Sequence, residues 1–207
     1  MSTSILRVIK DHYATYVNAQ SGLAEGHKTR LFAQTSIALI LSLTLTNFSE
    51  GAISAIITSL SILAGFSFSA MFPVAADIKS GLPDPVYSED RDDISRLGTL
   101  SSYFRANVSF FIPLTIFCII IFSIQLLDPI HNEFTRFIIS QTPLSTESIK
   151  NITYYSKIIC SKALIFISIF TFIETLYTFY RMCFTVLFIL RIKDEYRETH
   201  NQRNRYK

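Results

Sequence analysis

The chain of 207 residues contains no tryptophan and only three cysteines, and it is short of charge. Asp, Glu, Lys and Arg make up 17% of it, against about 25% in an ordinary soluble domain. Each scarcity excludes something. Without Trp, an aromatic belt at lipid headgroups has to be built from Tyr. Cys118, Cys160 and Cys183 form no CxxC pair and have no neighbouring histidine, so they read as small buried hydrophobes in a chain without disulfides. His12, His27, His131 and His200 are scattered, and no metal site is expected. The net charge of +3 comes without a long basic block, so direct nucleic-acid binding is not expected either. No GxSxG, HExxH, P-loop or glycine-rich phosphate cradle occurs; no catalytic residue or cofactor is expected, and the chain does not read as an enzyme.

What the chain does have is apolar sequence, 49% of the whole, gathered into blocks. A bilayer core of about 30 Å takes about 20 residues of helix. Residues 31–48, 51–76 and 107–127 are free of charge; 158–190 is longer and includes Lys162, Glu174 and Arg181. Three blocks without a polar face are poor material for a soluble bundle, so the expected fold is all-α, an integral membrane protein of four helices. The first thirty residues are polar, unlike a signal peptide. Fourteen Lys and Arg lie in 1–30, 77–106 and 191–207, against three in the 128–157 loop, so both termini are expected in the cytoplasm. The expected organisation is a cytoplasmic amphipathic arm (1–30), a transmembrane hairpin (31–76) and a cytoplasmic loop and helix (77–106). Spans three and four (107–190) then enclose the outer loop 128–157, and a basic cytoplasmic tail (191–207) follows.

Four groups of residues draw the functional reading. In the arm, Leu6, Ile9, Tyr13 and Val17 recur at helical spacing, either to lie on the inner membrane face or to pack on cytoplasmic loops of the assembly. Ser61, Gly65 and Ser69 stand four apart in the second block, a spacing that lets helix backbones approach closely in lipid, within one subunit or between subunits. Glu89, Asp90, Asp92 and Asp93 follow the Gly81-Leu-Pro-Asp-Pro85 elbow; they suit a solvated helix start, match no calcium loop, and offer a docking surface to a soluble partner. Glu174 and Arg181 lie seven apart, on one face of the fourth block, where a charge costs about 3 kcal/mol at bilayer depth. They line a hydrophilic seam, or pair between neighbouring subunits, or belong to a helix that leaves the membrane with Arg181 at the inner headgroups.

The segment Leu60-Ser-Ile-Leu-Ala-Gly-Phe-Ser-Phe-Ser-Ala70, with the four-span, both-termini-inside layout, resembles small multi-pass membrane components of bacterial anti-phage systems. The Kiwa-type membrane subunit and four-pass effectors of nucleotide-signalling or retron systems are of this kind. The resemblance implies a homo-oligomer of the bacterial inner membrane that senses membrane perturbation or permeabilises the membrane. Two other functions compete: a membrane anchor recruiting a soluble cytoplasmic effector through 77–106 and the tail, and a small ion channel or transporter. The two halves of the chain show no internal repeat of the kind transporters carry.

Overall fold

The computed structural model describes residues 2–16, 26–71, 82–83, 85, 87–126 and 146–205, and every regular element among them is helical. The helices are α1 (Ser2–Ala14), α2 (His27–Thr44), α3 (Glu50–Phe66, continued by a π-helical turn over Ser67–Met71), α4 (Ser88–Leu126) and α5 (Thr146–Arg205). Val17, Pro73, Gly81 and Asp84 of the elbow and residues 127–145 lie outside the described residues.

Among the described residues, three helices are long and apolar enough to cross a membrane: Glu50–Ser69, Ser88–Leu126 and Ile158–Arg203. The first expected span differs. It forms α2, but the helix starts at His27 and ends at Thr44, so its charge-free part is 31–44. That is about 21 Å of helix, short of the roughly 30 Å hydrocarbon core. The uncharged residues 45–48 go instead into the turn that leads to α3.

The chain divides into two compact units that share the long helices. The first takes Met1–His27, Ile62–Pro113 and Leu176–Lys207. Its core is the seam of α4 and α5, where Leu97, Leu100, Phe104, Val108 and Phe111 pack with Met182, Val186, Ile189 and Ile192. Both sets recur every three or four residues, the spacing that keeps one helix face on a partner. The helices run antiparallel here, with the Phe111 and Phe179 rings 6.0 Å apart near one end and Arg203 Nη1 donating to Asp90 Oδ1 at 2.9 Å at the other. This seam explains why the uncharged run 182–190 stays helical. The seam also reaches into the segment expected as a basic tail. Through Arg205 the segment continues α5, with Ile192 and Tyr196 buried and the Tyr196 hydroxyl donating to the Pro83 carbonyl at 2.9 Å.

The second unit takes Lys28–Ser61 and Leu114–Thr175. One cluster joins α3 to α4 through Ile53, Leu60, Cys118 and Phe122; another sets Ala38 of α2 against Ile165 and Ile169 of α5. The turn between α2 and α3 is fixed at both sides. Ser49 Oγ accepts from the Ala52 amide at 3.2 Å, an N-cap for α3. Lys162 Nζ donates to the carbonyls of Leu43 (3.1 Å) and Leu45 (2.6 Å), placing a cation at the negative end of α2.

Candidate functional site

In the second unit, Glu174 is 2% exposed, as its place on the buried face of α5 requires. An unpartnered carboxylate there would carry its full desolvation cost, so the fold must supply a cation. It supplies Arg30, from the first turn of α2, in a two-pronged geometry. Nη1 reaches Oε2 at 2.5 Å and Nη2 reaches Oε1 at 3.0 Å. Parallel N–H···O bonds of this kind are the strongest and most directional that a guanidinium makes. Gln34, one turn along α2, accepts from Arg30 Nη1 at 3.1 Å and donates to the Phe170 carbonyl at 2.9 Å. The result is a clasp of three polar side chains that ties the start of α2 to α5 within otherwise apolar packing. The Arg30 side chain is 19% exposed and that of Glu174 3%.

Arg181 belongs to the first unit. Its Nη2 donates to the Thr15 carbonyl at 2.5 Å, and its guanidinium carbon lies 4.0 Å from the Tyr16 ring centroid. Tyr16 in turn stacks on Tyr177 at 6.1 Å. This seats the end of α1, whose buried side is polar and aromatic. His12 is fully buried, with Nδ1 2.9 Å from Asn107 Oδ1, Nε2 3.3 Å from the Tyr16 hydroxyl, and its ring stacked on Phe110 at 4.0 Å. Leu6 of the expected apolar stripe is instead 65% exposed. Glu174 and Arg181 thus occupy one helix, Glu174 held by Arg30 in the second unit and Arg181 by the Thr15 carbonyl in the first.

The small-residue stripe is open. Ser61, Gly65 and Ser69 are all exposed, the two hydroxyls return to the Ile57 and Gly65 carbonyls at 2.9 and 2.8 Å, and a Cβ added at Gly65 would meet nothing within 4 Å. No close helix packing within the chain uses it among the described residues.

The acidic cluster splits into different jobs. Asp90 is a cap for α4: its Oδ2 accepts from the Tyr87 amide at 3.1 Å, the reach-back of a capping box, while Oδ1 takes Arg203. Glu89 also accepts from Arg203, at 3.0 Å, and the Arg203 guanidinium covers the Tyr87 ring at 4.5 Å. Asp92 is exposed. Asp93 is half-buried, and burial pushes its carboxyl above the usual range, with Asp90, Glu195 and Asp92 adding to the effect and Arg96 opposing it. Among the described residues no group of His, Cys, Asp and Glu is arranged to hold a metal ion.

Sequence reasoning missed Arg30 and Gln34, because the pairing spans 144 positions and Arg30 reads as part of the arm. One signal was available: a deeply buried carboxylate needs a cation, and Arg30 borders an apolar block directly. No protein-family model, curated protein or solved structure matches the chain, so its function has to be argued from these residues.

Proposed function

We propose that the chain is an oligomeric component of the bacterial inner membrane, with four spans and both termini cytoplasmic. In this reading it serves anti-phage defence by sensing membrane perturbation and making the membrane permeable. The observation that carries the proposal is the Arg30–Glu174 clasp. A buried ion pair is a poor way to gain stability, since desolvation offsets most of its Coulombic gain. Ionisable groups at membrane depth more often mark a pathway or a switch. Arg30 also accounts for the short apolar stretch of α2, because a guanidinium neutralised by Glu174 can enter the bilayer where a free one would hold the helix at the surface. The clasp then holds α2 on α5 in the closed state, and membrane perturbation that separates them opens a polar path. The defence setting comes from the resemblance of 60–70 to membrane components of such systems.

The anchor reading is weaker, because Asp90 and Glu89 are engaged by Arg203 of the same chain. The test is a phage challenge of cells carrying the wild-type chain or Glu174→Gln, with membrane potential followed by dye. Depolarisation and reduced plaque formation on infection of wild-type cells, together with a resting potential already lowered in uninfected Glu174→Gln cells, support the proposal. Unchanged plaque counts across a broad phage panel, with an unchanged potential, overturn it.

A further inference from the structure

Near the end of α5, Arg197, His200 and Asn201 stand at i, i+3 and i+4, so their side chains share one side of the helix. Leu82 and Pro83, from the segment before α4, stand opposite, and the five residues line a cleft of about 430 Å³ within the first unit. That wall is fixed in place, because the buried Tyr196 donates its hydroxyl to the Pro83 carbonyl at 2.9 Å. We propose that the cleft binds a small organic phosphate, its phosphate group on Arg197, His200 and Asn201 and its apolar body against Leu82 and Pro83.

The charge pattern of this part of α5 points to an anion. Arg191 is paired with Glu195, and Arg203 with Glu89 and Asp90. Arg197 and His200 make no ion pair among the described residues, and they are the two basic side chains that line the cleft. No carboxylate lines it among the described residues. A guanidinium presents two parallel N–H donors that match two oxygens of one anion. The imidazole and the Asn201 amide add donors one turn further along. Such a spread suits the three terminal oxygens of a phosphate better than the two of a carboxylate.

The opposite wall sets the rest of the ligand. A bare phosphate would use the basic side alone, whereas an apolar or ring-bearing body also removes Leu82 and Pro83 from water. The volume falls in the range of small-molecule sites. A soluble phosphate suits the position better than a lipid headgroup, because His200 lies about 15 Å of helix beyond Leu190, where the uncharged run of α5 ends. Bound there, the ligand bridges α5 to the segment that enters α4, beside the Tyr196–Pro83 bond.

The inference is independent of ion flux and of defence. Its test is calorimetric titration of the purified full-length chain, in phosphatidylcholine nanodiscs and phosphate-free buffer, with phenyl phosphate and inorganic phosphate as probes. Phenyl phosphate is expected to bind with Kd below about 1 mM, about tenfold more tightly than inorganic phosphate. Arg197→Gln is expected to weaken phenyl phosphate about tenfold, whereas Arg191→Gln, whose partner is Glu195, should stay within about twofold of the wild type. Leu82→Ser is expected to weaken phenyl phosphate and leave inorganic phosphate unchanged. No binding of phenyl phosphate, equal affinity for the two probes, or equal losses from Arg191→Gln and Arg197→Gln would each overturn the proposal. Binding abolished in discs containing phosphatidate, but not in phosphatidylglycerol discs of matched surface charge, would overturn it too, since the cleft would then hold a lipid headgroup.

Discussion

Replacing Arg30 by Met leaves the Glu174 carboxylate, 3% exposed, without its two-pronged partner. Removing one member of a buried pair costs about 3–5 kcal/mol, most of it the desolvation of the group left behind. Glu174→Gln is milder for a structural reason: its amide oxygen still accepts one bond from Arg30, and the 19% exposed guanidinium retains some access to solvent. A cost of about 1–3 kcal/mol is expected. The double variant Arg30→Met/Glu174→Leu removes both charges and should recover most of the loss, with a coupling energy of about 2 kcal/mol or more. The assay is a double-mutant cycle by SDS-induced unfolding of the purified protein in mixed micelles, followed by circular dichroism. Additive single-variant costs, or a double variant worse than Arg30→Met, would refute the clasp. So would equal tolerance of Arg30→Met and Glu174→Gln, because the asymmetry follows directly from the difference in burial.

Three further outcomes follow from the first unit. Asp90→Ala removes a helix cap and the better-buried partner of Arg203, and should cost about 1–2 kcal/mol in the same unfolding assay, whereas Glu89→Ala, at a side chain 80% exposed, should stay within about 0.5 kcal/mol. Phe104→Ala empties the centre of the α4–α5 seam and should cost about 3–5 kcal/mol, a loss Ser102→Ala does not share. Asp93 lies outside the apolar stretch of α4, and its folded carboxyl binds a proton more tightly than an ordinary one. Its contribution to stability is therefore greatest below the usual carboxylate range and is lost as pH rises through the raised value. Asp93→Asn should stabilise the protein at neutral pH and flatten the pH dependence of unfolding between the usual and the raised carboxylate range.

The long helices were legible because uncharged length is a one-dimensional property: α3, and the apolar parts of α4 and α5, can be counted off without knowing any contact. Pairings were not. Arg30 sits two residues past Lys28, and charge alone assigns both to the arm; only the fold brings one of them to Glu174. The helical segment 191–205 shows how composition misleads. Its charges read as a basic tail, yet Ile192 continues the three-and-four spacing of Met182, Val186 and Ile189 into the same seam, and Tyr196, four residues on, is buried as well. In α1 the apolar stripe drew attention to Leu6, while the buried residues are His12 and, just past the helix, Thr15 and Tyr16. Polar side chains that satisfy one another are invisible to a hydrophobic pattern, and hydrogen-bond partners on distant helices cannot be read from spacing. The stripe of Ser61, Gly65 and Ser69 was legible as a motif, but its exposure was not.

The central claim is that the Arg30–Glu174 clasp holds a membrane protein closed. The most direct measurement is ion efflux from liposomes of bacterial lipid containing the purified full-length chain, wild type against Glu174→Gln, at matched protein density. The account predicts tight vesicles with the wild type and efflux at least several-fold faster with Glu174→Gln. Equal efflux from the two, in vesicles shown to contain inserted protein, would contradict it.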